Sequence, residues 1–351
     1  MRIKTDCIYF KGDMPCRFHK SEGKICPCDR YQRRDSRILI IKLGAAGDVI
    51  RTTPLIRKLK KLWPNCEISW LTYVPEILPR EVDFKLNFTL PNIISLMADE
   101  FDILYNLAKD KEACGLTNLI RAKKKKGFCF KNGRCSYLGH SAENKFMTGI
   151  DDNLNRTNRS SYVEEIFEIA ELPFNGEKYL LDKPTREPQF IFDEAKPLIG
   201  LNTGCGCRWE TRLWPEEYWV NLAERLLSDG LAVLLLGGPL EDAKNRSIAQ
   251  KSSAIYLGHF PLKKFISLID CCNLIVTSVT MALHIAIGLE KKIVLFNNVF
   301  NRNEFELYGL GKIIEPKVNC LGCYKSKCSQ NCMADIPPEL VYERIKEFIG
   351  K

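Results

Sequence analysis

The stretch "RILIIKLGAAGDVIRTTPLIRKLKKLWP", residues 37–64, decides the fold class of this chain. It opens with an apolar run typical of a buried strand in a parallel sheet, and a glycine-containing turn then leads into a helix predicted over 48–62. Turns of this kind usually hold a phosphate group, yet this turn ends in a carboxylate, Asp48. The stretch therefore predicts a nucleotide-type α/β fold and leaves the negative charge to be explained.

The alternation of strands and helices continues along the chain. Strands are predicted at "CEISWLTY", "FDILYNL" and "KKGFCF", followed by an amphipathic helix over 161–172. After a proline-bearing stretch over 173–197 the alternation restarts, with strands at "KPLIGLN", "LAVLLLG", "NLIVTS" and "KKIVLF". Two such series predict an α/β protein with two Rossmann-like, doubly wound domains that face each other across a cleft.

The same patterns predict where each domain begins and ends. The predicted parts are a cysteine-rich N-terminal extension over 1–35, a first Rossmann-like domain over 36–175, a linker over 176–197, a second Rossmann-like domain over 198–335 and a C-terminal helix over 336–351.

Composition bounds the class of protein and its compartment. The 351 residues are 45% hydrophobic and 27% charged, and no apolar run approaches the roughly 18 residues that a membrane span needs. The N-terminus lacks the pattern of a secretion signal, which predicts a cytoplasmic protein whose 16 cysteines are thiols or metal ligands rather than disulfides.

The net charge of +9 has two interpretations. The basic runs "KKKK" (123–126) and "RKLKKLW" (57–63) are either solvated faces or a surface attracted to something anionic, namely a membrane surface, a phosphorylated substrate or nucleic acid. Because no zinc-finger, RNA-recognition or helix-turn-helix pattern is present, we expect no nucleic-acid partner.

The first turn carries the candidate base. Gly44 and Gly47 permit a tight turn that a ligand can approach closely, but the turn is neither G-x-G-x-x-G nor a P-loop. Asp48 is either an ordinary helix N-cap or a general base that acts on an acceptor hydroxyl. Its place beyond the carboxyl end of a strand favours the second role.

The second half supplies candidates for binding a pyrophosphate. Hydroxyl, amide and guanidinium donors follow the strand "KPLIGLN", and the alternative is a surface loop with solvated arginines. In "LLLGGPLED" a carboxylate at a strand end suits ribose hydroxyls, with helix capping as the competitor, and "TSVTMALH" opens a helix that offers an anion site. The candidates are Asn202, Thr203, Arg208, Arg212, Glu241, Ser278, Thr280 and His284, the last of which, taken alone, is more often a packed histidine.

The cysteines form two dense groups. Four thiols within 13 residues have the spacing C-x2-C-x4-C-x3-C, which can surround one Zn or Fe ion, although unmetallated thiols are the alternative. They are Cys320, Cys323, Cys328 and Cys332. A looser N-terminal group consists of Cys7, Cys16, Cys26, Cys28 and His19. The close pair Cys205 and Cys207 offers too few ligands for a site.

The ordered set of motifs resembles glycosyltransferase family 9, the heptosyltransferases of lipopolysaccharide cores. The matching pieces are "ILIIKLGAAGDVIRTTPLIRKLK", "GLNTGCGCRWETRLWPEEYW", "VLLLGGPLEDA", "TSVTMALHIAIGLEKKIVLF" and "CMADIPPELVYERI". The resemblance covers about residues 37–348 and implies a GT-B fold, with the acceptor bound mainly by the first domain and the nucleotide sugar mainly by the second.

The resemblance also implies an activity and roles for residues. It implies an inverting, metal-independent transfer from a nucleotide sugar, typically ADP-heptose, to a glycan, lipid or protein hydroxyl. Asp48 would be the base and Glu241 the ribose-binding acid. Arg212 would belong to the basic phosphate-binding segment, and "SVTMALH" would hold the diphosphate. Catalysis would need no cofactor, while a structural Zn or Fe ion on cysteines stays open because some protein-glycosylating members carry cysteine-bound iron.

One segment departs from the family pattern. The family usually has D-T-G-x-x-H where this chain has Val279, Thr280 and Met281 before His284. The change removes a negative charge near the nucleotide and restricts the backbone. This departure and the thiols leave open a non-catalytic relative that senses a nucleotide or metal. The likeness to members with cysteine-bound iron leaves open a protein O-heptosyltransferase of the same family. The sugar, the acceptor and the oligomeric state are left undetermined by the sequence.

Overall fold

The computed structural model describes residues 3–184, 190–206 and 208–350. The chain divides into two compact units, each with its own sheet. The first unit combines the chain up to Gly44 with Thr53–Glu143 and Ile166–Pro173. The second combines the remaining segments, which are Ala45–Thr52, Asn144–Glu165 and the chain from Phe174 onward. Part of the predicted linker, 185–189, lies outside the described residues.

The first unit is built on a six-stranded sheet. Its strands are β1 (Arg37–Ile41), β2 (Glu67–Thr72), β3 (Phe84–Asn87), β4 (Glu100–Asn106), β5 (Arg121–Lys131) and β6 (Arg134–Leu138). They lie in the order β3-β2-β1-β4-β5-β6, and every pair is parallel except β5 with β6. The order 3-2-1-4-5 is typical of Rossmann folds.

Strand β1 lies at the centre of this sheet because both of its faces are apolar. Ile38 to Ile41 are fully buried, and Leu39 and Ile41 pack with Leu71, Leu104 and neighbouring apolar side chains in one core. A strand covered on both faces needs an uninterrupted apolar run, which "ILII" supplies.

Strand β6 was missed by the sequence reasoning. It pairs with β5 in an antiparallel hairpin in which Lys131 opposes Arg134. The two residues between them, Asn132 (φ 51°) and Gly133 (φ 75°), have the left-handed backbone that a tight two-residue turn requires. Asn-Gly is the dipeptide that favours this turn most strongly, so the sequence did contain the information.

The predicted single helix over 48–62 is wrong. The structure has two helices there, α2 (Ala46–Ile50) and α3 (Pro54–Leu62). Pro54 is the first residue of α3 and has no N–H to continue the hydrogen bonds of α2, so the chain breaks between them. The remaining helices up to residue 170 are α1 (Arg17–Glu22), α4 (Leu90–Ala98), α5 (Lys111–Leu119), α6 (Glu143–Met147), α7 (Asp152–Thr157) and α8 (Tyr162–Ala170).

The second unit is built on a five-stranded parallel sheet. Its strands are β7 (Leu198–Asn202), β8 (Ala232–Leu236), β9 (Leu274–Ser278), β10 (Lys292–Phe296) and β11 (Gly311–Ile314), in the order β11-β10-β9-β7-β8. Its helices after β7 are α9 (Glu216–Ser228), α10 (Asp242–Ser252), α11 (Leu262–Cys271), α12 (Met281–Gly288) and α13 (Pro338–Ile349). Two units with parallel α/β sheets confirm the predicted fold class.

An aromatic cluster anchors the core of the second unit. The ring centroids of Trp214 and Trp219 are 4.8 Å apart, and that of Phe296 lies 5.1 Å from Trp214. The indole N–H of Trp214 donates a 2.9 Å hydrogen bond to the carbonyl of Ile336, just before α13. This bond satisfies a buried donor and ties the last helix to the sheet.

Candidate functional site

A cavity of about 620 Å³ lies within the second unit, at the carboxyl ends of its strands. We call it the strand-end cavity; its wall is formed by α2, the loops after β7 and β8, the start of α12, Phe265, Phe300 and Glu304. Open α/β sheets bind ligands at this edge. Eight predicted site residues line it, namely Gly47, Asp48, Asn202, Arg208, Arg212, Glu241, Thr280 and His284.

Asp48 is the third residue of α2. The N-cap position is taken by Ala45, which makes no side-chain capping bond, so Asp48 is not the N-cap that the sequence allowed. Its carboxylate is one-third exposed, and Oδ1 lies 2.8 Å from Nη2 of Arg51. A partly exposed carboxylate on the cavity wall is accessible to a ligand hydroxyl.

Gly47 allows α2 to pack closely against α12. A Cβ atom at this position would lie 2.6 Å from Cδ2 of the His284 ring, closer than side chains approach one another. Gly44, in contrast, belongs to the first unit, and a Cβ there would make an ordinary 3.7 Å contact with Tyr73. The close approach therefore needs glycine at residue 47 and not at residue 44.

His284 is a buried, neutral histidine. Its ring is 5% exposed and stacks on Tyr179 with centroids 6.2 Å apart. Burial, reinforced by the charge of Arg51 and opposed by that of Asp48, lowers the pKa of His284 to about 3. The uncharged ring packs against α2 and provides one surface of the cavity.

Arg51 was not identified by the sequence reasoning. Its guanidinium carbon lies 3.4 Å from the centroid of the Tyr162 ring, and Nη1 lies 4.0 Å from the Glu304 carboxylate. Burial disfavours its charge, but Asp48, Tyr162 and Glu304 outweigh that effect and raise the pKa of Arg51. Because Asp48 and Arg51 are three residues apart on a predicted helix, their ion pair could have been predicted from the sequence. No local pattern connects Arg51 with Glu304.

The two predicted arginines of the β7 loop have different environments. Arg212 is 6% exposed and donates to the carbonyls of Cys205 and Val279, and burial lowers its pKa to about 10. Arg208 is exposed, with its guanidinium 5.3 Å from the Trp209 ring. Arg208 therefore can reach a ligand freely, while Arg212 also braces the wall.

Asn202 and Thr280 form a hydrogen-bonded corner of the cavity. Nδ2 of Asn202 donates to the hydroxyls of Thr277 (3.0 Å) and Thr280 (3.3 Å). The Thr280 hydroxyl also accepts from the N–H of Ala282 and so caps α12. These side chains fix the start of α12, whose residues Thr280 and Met281 face the cavity.

Thr203 and Ser278 lie behind this wall. The hydroxyl of Thr203 donates to Asn245 at 2.6 Å, and that of Ser278 donates to the carbonyl of Arg212 at 3.2 Å. Both residues are buried. Their contacts support the loop from within, so the structure does not bring them to the cavity surface with the other candidates.

Glu241 follows β8 and lines the cavity. Its Oε2 accepts a 2.8 Å hydrogen bond from the N–H of Gly238, so the predicted capping contact is present. A Cβ at Gly204 would lie 2.4 Å from the Glu241 carboxyl carbon, so any larger residue there would displace this carboxylate. Glu241 thus caps a turn and faces the cavity at the same time.

Burial, and after it the neighbouring thiols of Cys320, Cys323 and Cys328, raise the pKa of Cys332, so the four C-terminal cysteines lie near one another. Cys320 and Cys328 are exposed, and Sγ of Cys332 accepts a 3.2 Å hydrogen bond from Asn298. Within residues 3–184, 190–206 and 208–350, no three His, Cys, Asp or Glu side chains are arranged to hold a metal ion. The metal site therefore stays a prediction, and Cys207 lies outside the described residues.

The N-terminal cysteines line a cavity of their own in the first unit. Its volume is about 450 Å³, and Cys7, Cys16, Cys26 and Cys28 contribute to its wall together with His19. None of the cysteines that the structure describes forms a disulfide.

The lysines of "KKKK" (123–126) lie in β5, and several are paired within the first unit. Lys123 lies 2.7 Å from Asp102, and Lys126 lies 2.7 Å from Glu171. These contacts favour the solvated-face interpretation for this run. Every helix of the described segments is too short or too polar to cross a lipid bilayer.

Comparisons with known proteins agree with this architecture. A model described as glycosyltransferase family 9 (heptosyltransferase) matches residues 93–333. Lipooligosaccharide heptosyltransferase 2 of Haemophilus influenzae (strain ATCC 51907 / DSM 11121 / KW20 / Rd) is 23% identical over 347 residues, which cover 90% of this chain and 99% of that protein.

Two solved structures have the same fold. The glycosyl transferase family 9 protein from Veillonella parvula DSM 2008 gives a TM-score of 0.68 at 18% identity, covering 90% of this chain and 97% of that chain. The E. coli ADP-heptose lps heptosyltransferase II gives 0.66 at 17% identity, covering 89% and 98%. The resemblance of the motifs and the GT-B fold that it implied are both confirmed.

Proposed function

Because the chain belongs to glycosyltransferase family 9 and is a glycosyltransferase, we propose that it transfers a heptose from ADP-heptose to a hydroxyl of a lipopolysaccharide core, with inversion at the anomeric carbon. The observation that carries this proposal is the strand-end cavity, which both the partly exposed Asp48 carboxylate and the exposed Arg208 guanidinium line. The names of the relatives support the choice of donor and acceptor.

In the proposed step Asp48 acts as the general base. Its carboxylate takes the proton of the acceptor hydroxyl as that oxygen forms a bond to the anomeric carbon. The bond between the anomeric carbon and the donor phosphate breaks at the same time, and its electron pair leaves with ADP. Attack from the face opposite the leaving group inverts the configuration at that carbon.

The leaving diphosphate gains negative charge, and the opposite wall supplies positive charge. Arg208 is exposed and free to move toward it, and the positive dipole end of α12 begins at Thr280. Arg212 adds a buried cation to the same wall. These groups stabilise the departing ADP without a metal ion, so the proposed catalysis requires no cofactor.

Glu241 and Met281 are proposed to select the donor. The Glu241 carboxylate lies on the cavity wall where it can accept hydrogen bonds from ribose hydroxyls. Met281 also lines the cavity at the position where the family usually has glycine, so it narrows the space beside the diphosphate. The Val279 carbonyl bonds to Arg212, so this residue contributes through its backbone.

The acceptor implies a place of action. A lipopolysaccharide core is anchored in a membrane, so we propose that the protein works in the cytoplasm and meets the inner face of the inner membrane peripherally. The basic run "RKLKKLW" (57–63) is the candidate contact. A structural Zn or Fe ion on the C-terminal thiols stays part of the proposal, and elemental analysis of anaerobically purified protein tests it.

The experiment that tests the function is a transfer assay with a matrix of donors and acceptors. Purified protein is incubated with ADP-heptose, ADP-glucose or UDP-glucose and with either heptose-deficient lipopolysaccharide or unmodified polypeptides. Products are identified by mass spectrometry and the anomeric configuration by NMR. We expect ADP release and a heptosylated core with inverted configuration.

The other outcomes separate the alternatives. Heptosylated polypeptide without heptosylated core would replace the proposed acceptor with a protein hydroxyl. Tight binding of ADP without transfer from any donor would identify a non-catalytic relative and overturn the proposal.

A further inference from the structure

The guanidinium of Arg51 is held on three sides within the second unit. It lies 2.8 Å from the Asp48 carboxylate, 4.0 Å from that of Glu304 and 3.4 Å from the centroid of the Tyr162 ring. The side chain is only 13% exposed. A planar cation packed on an aromatic face and flanked by two carboxylates has little freedom to turn.

Glu304 is itself anchored, so it provides a fixed point. It ends a short 3-10 turn in which the N–H of Asn303 donates to the Asn301 side chain, and its Oε1 accepts a 2.6 Å hydrogen bond from the Tyr324 hydroxyl. Its side chain is 11% exposed. Residues far along the chain thus hold the arginine that contacts Asp48.

We propose that Arg51 is a positioning residue that orients the Asp48 carboxylate for proton abstraction, with Glu304 and Tyr162 holding the guanidinium. This inference rests on the proposed function. The contact with Oδ1 of Asp48 sets the rotation of the carboxylate about its Cβ–Cγ bond and therefore the direction of the second oxygen. Small errors in such a direction cost rate rather than affinity.

The arrangement also explains why two carboxylates share one arginine. When Asp48 accepts the proton it becomes neutral, and its attraction to Arg51 weakens. The contacts of the guanidinium with Glu304 and with the Tyr162 ring do not involve that proton, so they hold it in place. Asp48 then finds the same partner when it releases the proton, and each turnover starts from the same geometry.

The test compares Arg51→Met and Arg51→Lys with the unaltered protein by steady-state kinetics. We expect Arg51→Met to lower kcat by about 10²-fold with the KM for the donor changed by less than about twofold. Lysine restores the positive charge but not the planar guanidinium. We therefore expect the kcat of Arg51→Lys to be about tenfold higher than that of Arg51→Met.

Arg225→Met is the matched control. Arg225 also lies over a tyrosine ring, with its guanidinium 4.3 Å from the centroid of Tyr342, and pairs with Glu339 at 3.2 Å. Arg225 has no role in the proposed reaction, so we expect the kcat of Arg225→Met to equal that of the unaltered protein.

Each other outcome overturns the positioning role. An unchanged kcat in Arg51→Met does so, and so does an equal loss in the methionine and lysine variants. If Arg51→Met fails to fold, Arg51→Lys and Glu304→Gln provide the test. The positioning role requires that both variants lower kcat while KM stays constant. Lack of transfer by the unaltered protein refutes the proposed function itself, so the two failures are distinguishable.

Discussion

Two arginines on the wall of one cavity have opposite environments. Arg51, beside α2, is paired with Asp48 and Glu304, and these carboxylates raise its pKa. Arg212, in the β7 loop, contacts the carbonyls of Cys205 and Val279, and burial lowers its pKa to about 10. Among the described residues no carboxylate pairs with Arg212.

The difference shows that the two arginines of this cavity differ in whether the protein itself balances their charge. The charge of Arg51 is already balanced by the protein, so it can hold a carboxylate in place but adds little attraction for a ligand. The charge of Arg212 is unbalanced, and an anionic ligand would compensate it. The α2 side is therefore suited to a base and the β7 side to a diphosphate.

The largest effect should come from removing the base. We expect Asp48→Asn and Asp48→Ala to lower kcat by about 10²- to 10⁴-fold, the usual contribution of general base catalysis. Binding of ADP should change by less than about threefold because the diphosphate contacts the other side. Single-turnover transfer and calorimetric titration with ADP measure the two quantities, and transfer at the normal rate by either variant would remove Asp48 from the mechanism.

The next effect concerns His284 and the pH dependence of stability. Burial lowers its pKa to about 3 in the folded chain, whereas an unperturbed histidine has a pKa of about 6.5, so below pH 6.5 the unfolded chain binds a proton that the folded chain does not. Stability is therefore lost as the pH falls from 6.5 towards 3. Between pH 7 and pH 4 we expect the free energy of unfolding of the unaltered protein to fall by about 3 kcal/mol more than that of His284→Gln.

Urea unfolding at pH 7, 6, 5 and 4 provides the measurement. Each variant is compared with its own value at pH 7, which removes the direct cost of the substitution. Parallel stability curves for the two proteins would mean that His284 takes up its proton normally.

A smaller effect is expected for Arg212→Met, and it sharpens the comparison with Arg51. Loss of the unbalanced cation should weaken donor binding by about 10-fold, within the range for a charge-assisted contact. The KM for the donor should rise more than kcat falls, the reverse of Arg51→Met. If both arginine variants changed the same kinetic constant, the proposed division of charges would be wrong.

Effects of the same size or smaller are expected from a pair of glycine substitutions. Gly47→Ala places a Cβ 2.6 Å from the His284 ring, so α2 must shift and transfer should slow by roughly tenfold through displacement of Asp48. Gly115→Ala, inside α5, meets nothing within 4 Å and should instead stabilise the helix by about 0.5–1 kcal/mol. Thermal unfolding and initial rates measured on both variants provide the comparison.

The sequence predicted much of the fold because long apolar runs leave few alternatives. The strands at "ILII" and "NLIVTS" and the helix α13 are where the patterns placed them. The break between α2 and α3 and the hairpin at Asn132 were missed, because periodicity was given more weight than Pro54 and the Asn-Gly turn. Local turn chemistry would have corrected both.

The site was predicted less completely, for a physical reason. Asp48 and Glu241 were found because each follows a strand of a parallel sheet, where the fold gathers ligand contacts. Phe300 and Glu304 were missed because they reach the cavity from a distant loop with no pattern of its own. Likewise, only the structure separates the exposed Arg208 from the buried Arg212.

The contact between Arg51 and Glu304 also has a consequence for protein synthesis. The two residues are separated by roughly 250 positions, so at about 5–20 residues per second the ribosome adds Glu304 about 13 to 50 s after Arg51. Throughout that interval the nascent chain carries the candidate base without the residues that hold it. We therefore expect the strand-end cavity to be completed only late in translation, and a chain truncated before residue 304 to contain Asp48 but lack the anchor of its arginine.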